Sequence, residues 1–85
     1  MNDNEARKRI GQRIAALRKT VEWTDERGIK RVGMSQQQME ALTGIRQSHI
    51  TRIEHGYYST NIDYLEKMAN ALGHHIDLVP DEVDG

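Results

Sequence analysis

Apolar residues recur along the chain with two different periods. Ala6, Ile10, Ile14, Leu17 and Val21 are spaced by four, four, three and four, which is one stripe of an α-helix. Asn2 and Glu5 have capping-box spacing, with Asp3 and Asn4 as alternative caps, so a first helix is predicted over about 4–20. Helical period is then lost. Trp23, Thr24, Ile29 and Val32 favour strand, and Asp25-Glu26-Arg27-Gly28 reads as a type I turn closed by a left-handed glycine. A β-hairpin is expected at about 21–32, with an irregular loop as the alternative.

A dense start signal follows. Ser35 is a good N-cap, Gln38 completes a capping box, and Met34 with Met39 forms a hydrophobic staple. Met39 and Leu42 are expected to face the core, and Gly44 stops this second helix after about two turns. A third helix carries Ile50 and Ile53 inward and ends before Gly56. Two short helices joined by a tight glycine turn, over 35–55, have the pattern of a helix-turn-helix. The fourth helix starts at Thr60 or Asn61. Its stripe is Ile62, Leu65, Met68, Ala69 and Leu72, and Gly73 stops it. Finally, residues 75–79 alternate, with Ile76 and Leu78 on one face, and Pro80 closes the segment. A lone strand must pair, either with the hairpin (the preferred partner within one chain) or with the same strand of a second subunit. The predicted architecture is therefore mostly α, with about four helices, a short hairpin and a C-terminal β-strand. It forms a single domain over 1–80, followed by a frayed acidic tail at 81–85.

Composition narrows the function. A chain of 85 residues is one small domain with a modest core and little room to enclose a pocket. It has no cysteine, no apolar run near the ~20 residues of a membrane span and no signal-peptide pattern at its N-terminus, so a cytoplasmic location is expected. The net charge of −1 conceals an asymmetry: residues 1–56 carry +4 and residues 57–85 carry −5. Arg7, Lys8, Arg9, Arg13, Arg18 and Lys19 follow one another with no acid among them. Such a half can bind a polyanion, although a solvated helix face has the same composition. His49 and His55 do not share a helix face, and His74 and His75 point to opposite sides of a strand, so no metal site, cofactor or catalytic triad is expected.

Residues 35–56, from Ser-Gln-Gln-Gln to Ile-Glu-His-Gly, resemble the lambda-repressor/Cro type of helix-turn-helix, the XRE family. The likeness runs over roughly 8 to 73. It rests on the Leu17-Arg18 pair, the Ser35-Gln36 opening, the turn Gly44, the Ile50-x-x-Ile53-Glu54-x-Gly56 ending and the Ala71-Leu72-Gly73 close. The resemblance implies sequence-specific binding of double-stranded DNA by a homodimer on a palindromic operator, with the third helix in the major groove. Geometry agrees with that assignment. At about 100° per residue, Ser48, Thr51, Arg52 and His55 project away from Ile50 and Ile53, and Gln47 lies on the flank. Gln47, Ser48, Thr51 and Arg52 are the expected base readers, because Arg suits guanine, Gln suits adenine, and Ser and Thr adapt. The resemblance further implies that Gln36 meets a phosphate and steadies Gln47, and that Arg18 and Glu54 form a structural ion pair. Arg46, Tyr57, Tyr58, Ser59 and Asn61 complete the expected phosphate contacts, although either Tyr could pack in the core instead. Two residues depart from the family pattern. Glu40 stands where Ala commonly permits close helix approach, and Arg46 stands where Ser or Thr commonly caps the third helix. The hairpin is also longer than the minimal connection, and Arg27, Lys30 and Arg31 could reach DNA from it. The expected function is a dimeric transcriptional repressor, not an enzyme, with Ile76 and Leu78 in the dimer strand. The alternative is an antitoxin that binds a toxin protein and autoregulates through the same motif.

Overall fold

The computed structural model describes residues 3–57 and 60–81. Its elements run α1 (Asp3–Thr20), β1 (Glu22–Thr24), β2 (Lys30–Val32), α2 (Gln36–Thr43), α3 (Gln47–His55) and α4 (Ile62–Ala71). The capping box expected of Asn2 and residues 82–85 of the tail lie outside the described residues. The α1 stripe is inward as read: Ile14 is buried, and Ile10, Leu17 and Val21 pack partly buried against the core. That core is completed by Met34, Met39, Ile45, Ile50, Ile53, Met68 and Leu72. It sits where α1 and α2 both meet α3, with α4 packed on α2.

Local chemistry sets each boundary. Ser35 Oγ accepts the Gln38 amide at 3.0 Å, and Gly44 ends α2 at φ 76°. The α4 cap is Asn61, whose side chain accepts the Tyr64 amide at 2.8 Å. The hairpin forms as expected but is short. Trp23 pairs opposite Arg31, and the turn closes with the Gly28 amide donating to the Asp25 carbonyl at 2.9 Å. The Asp25 carboxylate accepts the amides of Ile29 and Arg27 and the Nε of Arg31, each near 2.9–3.0 Å. Led by the Ile29 amide, these donors hold its carboxyl below the usual aspartate range. Trp23 Nε1 donates to the Gly33 carbonyl at 2.8 Å, anchoring the hairpin to the approach to α2.

Three expectations are corrected. The segment at 75–79 is not a strand in the single chain, and the hairpin remains a two-stranded sheet. A strand exists only through its ladder, and here the backbone groups are diverted. The Ile76 amide donates to Glu66 Oε2 at 2.9 Å, and the Leu78 amide donates to the adjacent Asp77 side chain. Instead of meeting the hairpin, the segment lies beside α1, where Arg9 and Ile10 share a shallow groove with Ile76 and Val79. Leu42, expected in the core, is 54% exposed, because the inner face of the two-turn α2 runs through Met39 and Thr43. Ile62, expected in the α4 stripe, is 60% exposed at the helix entrance, and the buried part of the stripe begins a turn later.

Gly11 shows why α1 approaches α3 so closely. A Cβ built on it would lie 2.3 Å from the Ile53 carbonyl oxygen and 2.7 Å from that of Glu54. At Gly56 the constraint is double: φ is +70°, and a Cβ would fall 2.9 Å from Lys8 Cα. A mid-helix Gly→Ala change normally stabilises a helix by roughly 1 kcal/mol. Here the backbone contact reverses the sign, and Gly11→Ala is expected to destabilise the fold by about 1–3 kcal/mol through overpacking. Urea denaturation of the two proteins reads this directly. A stability equal to or above that of the parent would mean that α1 can shift off α3 at no cost.

Candidate nucleic-acid interface

The α3 sequence separates a buried face from a displayed one. Ile50 is fully buried and Ile53 nearly so, while Gln47, Ser48, Arg52 and His55 are exposed and Thr51 is half-buried. Gln47, Ser48, Thr51 and Arg52, the four expected base readers, line one shallow open concavity together with Tyr57. His55 Nδ1 lies 2.8 Å from the Thr51 carbonyl, so that nitrogen carries the proton and donates. The His55 ring stacks against Tyr57 at 5.2 Å between centroids. Tyr57 is thus a rim residue on an exposed aromatic pair rather than a core residue. Tyr58 and Ser59, also expected at phosphates, lie outside the described residues.

Behind this face stands a buried polar network. Arg18 Nε and Nη2 donate to Glu54 Oε2 and Oε1 at 2.6 and 2.9 Å, a two-pronged pair, and Nη1 donates to the Met34 carbonyl at 2.8 Å. Arg18 is 9% exposed and Glu54 7%. The network continues outward. Gln36 Nε2 donates to Glu54 Oε1 at 3.0 Å, and Gln36 Oε1 accepts the Thr51 hydroxyl at 2.8 Å. Gln47 Nε2 reaches the same Gln36 oxygen at 3.5 Å, the outer limit of a hydrogen bond. Gln36 therefore bridges the buried pair to two displayed residues. The Thr51 hydroxyl is turned to Gln36 and to the Gln47 carbonyl, leaving Thr51 an acceptor and a methyl surface for a ligand.

The remaining site residues divide. Arg46 is exposed and makes no side-chain cap hydrogen bond. Asn61 engages its side-chain oxygen at the α4 cap, so its amide NH2 is the part suited to a phosphate. His49 turns inward, with its ring edge-on to Tyr64 at 4.9 Å and Nε2 3.4 Å from Thr60 Oγ1. Sequence reasoning missed two contributors. One is Gly11, whose signal is a glycine inside a predicted helix. The other is Glu40, whose carboxylate accepts the Gln47 amide at 2.9 Å instead of spoiling the helix approach.

A two-turn helix, a glycine turn and a second short helix locked at a fixed crossing, with polar residues displayed on the second, define a helix-turn-helix protein. A helix-turn-helix family model matches residues 27–79, more than half of the chain, and the chain belongs to that family, in its XRE type. A protein of Haemophilus influenzae named as an uncharacterized HTH-type transcriptional regulator is 37% identical over 51 residues. That match covers 60% of this chain and 52% of that protein, so the chain spans about half the length of this curated relative. No solved structure matches the chain significantly. Among the described residues, no helix is long and apolar enough to cross a membrane.

Removing one partner of a buried pair leaves an uncompensated charge. Arg18→Ala is expected to destabilise the fold by about 3–5 kcal/mol, because Gln36 alone cannot neutralise Glu54. Replacing both residues by Met should recover much of that loss. Thermal melts of the single and double variants test this, and a single variant as stable as the double would show that the charge is not isolated.

Proposed function

We propose that the chain is a sequence-specific double-stranded DNA-binding transcriptional regulator that acts as a homodimer and represses by occupying a palindromic site. The observation that carries this reading is the shared open face of Gln47, Ser48, Thr51 and Arg52 on a helix whose opposite face is fixed by buried residues. Base reading needs both parts: donors and acceptors of several kinds, and a rigid carrier. Arg52 has the geometry for guanine O6 and N7. Gln47 has it for adenine, with its amide oriented by Gln36. Arg46 and the Asn61 amide flank this face as phosphate donors, with Tyr57 at its rim. Repression by occupancy needs no surface beyond this interface.

The C-terminal segment supports the dimer. Leu78 is 95% exposed and Val79 80%, in a stretch whose alternation suits a strand that lacks a partner in its own chain. Two copies pairing these segments antiparallel would satisfy the ladder and bring Ile76 and Leu78 of both copies onto one face. A two-fold dimer places its α3 helices about 34 Å apart for successive major grooves. Leu78→Asp is expected to abolish the dimer in sedimentation while leaving the helical spectrum of the monomer intact. A dimer that survives this change would move the contact elsewhere.

The decisive experiment titrates the protein against the duplex upstream of its own gene, beside a scrambled duplex, at several salt concentrations. Tight preference for the former with a steep salt slope is expected. Arg52→Ala should cost about 1–3 kcal/mol on the preferred site and relax one position, whereas Arg46→Ala should weaken all duplexes alike and reduce the slope by about one. Equal loss on every duplex for Arg52→Ala would remove its base-reading role.

A further inference from the structure

The two departures from the family pattern, Glu40 and Arg46, act on the same helix end. A helix begins with amides that have no partner inside it, and the residue before it normally offers an oxygen. Arg46 holds that place at φ −59° and ψ 143° but can only donate, and it forms no side-chain cap bond. Its carbonyl closes the first turn, accepting from His49 and Ile50 at 2.9 and 3.0 Å. The first amide of α3, that of Gln47, goes instead to Glu40 Oε1 at 2.9 Å, from the preceding helix. Just before it, the Ile45 amide goes to Thr43 Oγ1 at 3.1 Å, also from α2. The turn thus hangs from two α2 side chains, and the carboxylate meets the positive end of the α3 dipole.

We infer that Glu40 is a positioning residue for base recognition: it holds the first amide of α3 from α2 and fixes the orientation from which Gln47 presents its amide. The inference deepens the DNA-binding reading and rests on it. A serine cap would tie α3 only to itself, while Glu40 ties it to the neighbouring helix. The carboxylate also occupies a helix end that otherwise attracts phosphate, so it disfavours sequence-independent docking there.

The test uses duplexes selected by the parent protein from a pool randomised over two helical turns. The parent, Glu40→Gln, Glu40→Ala and Glu40→Ala with Arg46→Ser are titrated against the selected duplex, its single-base variants and a scrambled duplex. Glu40→Gln, whose amide oxygen still accepts, should keep discrimination within about twofold. Glu40→Ala should lose about fivefold of discrimination at the base pair that Gln47→Ala identifies, and should bind the scrambled duplex more tightly. Adding Arg46→Ser, which caps α3 without tying it to α2, should leave that base-pair preference lost. Unchanged discrimination in Glu40→Ala, loss spread evenly over all base pairs, or full rescue by the serine would overturn the inference. Hydrogen exchange on the free protein gives a readout independent of DNA. The Gln47 amide should exchange faster in Glu40→Ala, and equal exchange in both proteins would refute the cap itself. If the parent selects no duplex, the DNA-binding reading fails and the positioning role falls with it, while the exchange result still decides whether Glu40 caps α3.

Discussion

The pairing of Arg18 with Glu54 is the interaction on which the other contacts depend. Both side chains leave water, which is costly unless every donor and acceptor is met. The guanidinium meets this condition with three of its nitrogens: two on Glu54 and one on the Met34 carbonyl. A lysine could not, because its single ammonium has no fork to match a carboxylate. One side chain therefore joins α1, the approach to α2 and α3. The bare Gly11 contact brings α1 and α3 near enough for the pair to form. The buried pair adds little net stability but fixes relative placement, since any other crossing of these helices would strand a charge.

Fixed placement matters because α2 and α3 are short. Eight- and nine-residue helices are marginal alone and take their stability from packing. Apolar contacts at Met39, Ile45, Ile50 and Ile53 hold them together but tolerate small rotations. Directional bonds remove that freedom. Glu40 and Thr43 hold the start of α3 from one side, and Gln36 holds Thr51 from the other. The outward residues inherit the resulting rigidity without being buried themselves.

What was legible in the sequence was mostly local. Ser35, Gly44, Gly56 and Asn61 declare helix ends through their own chemistry, and each stands at the end it announced. The family pattern made the Arg18–Glu54 pair and the α3 display face readable despite a sequence separation of 36 in the former case. Leu42 is exposed because a two-turn stripe has two apolar flanks and only the neighbouring helix decides which is covered, and Ile62 because the first residue of α4 precedes the turn that packs on α2. The alternation at 75–79 was equally visible, but alternation states only what a strand would look like. Whether one forms depends on a partner that the segment itself does not contain. Glu40 and Arg46 each looked like a local defect. Their complementarity exists only once the turn brings the Glu40 carboxylate back to the Gln47 amide.

Structure also revises the charge argument. The basic half carries eleven Lys and Arg, yet not all of them serve a polyanion. Arg18 is sequestered by Glu54, and Arg31 is held by Asp25 at 3.0 Å. Lys8, Arg9, Arg13, Lys19, Arg27, Lys30, Arg46 and Arg52 stay exposed. Neutralised phosphates, rather than net charge, set the salt dependence of binding, so a chain at −1 can still show a steep slope. The acidic C-terminal part, of opposite sign, offsets part of this attraction in each subunit. Phosphate contacts carry no sequence information, so in the proposed reading discrimination falls to the α3 face. Two subunits on one site would double both contributions, which gives the exposed C-terminal segment a physical reason to pair with its own copy.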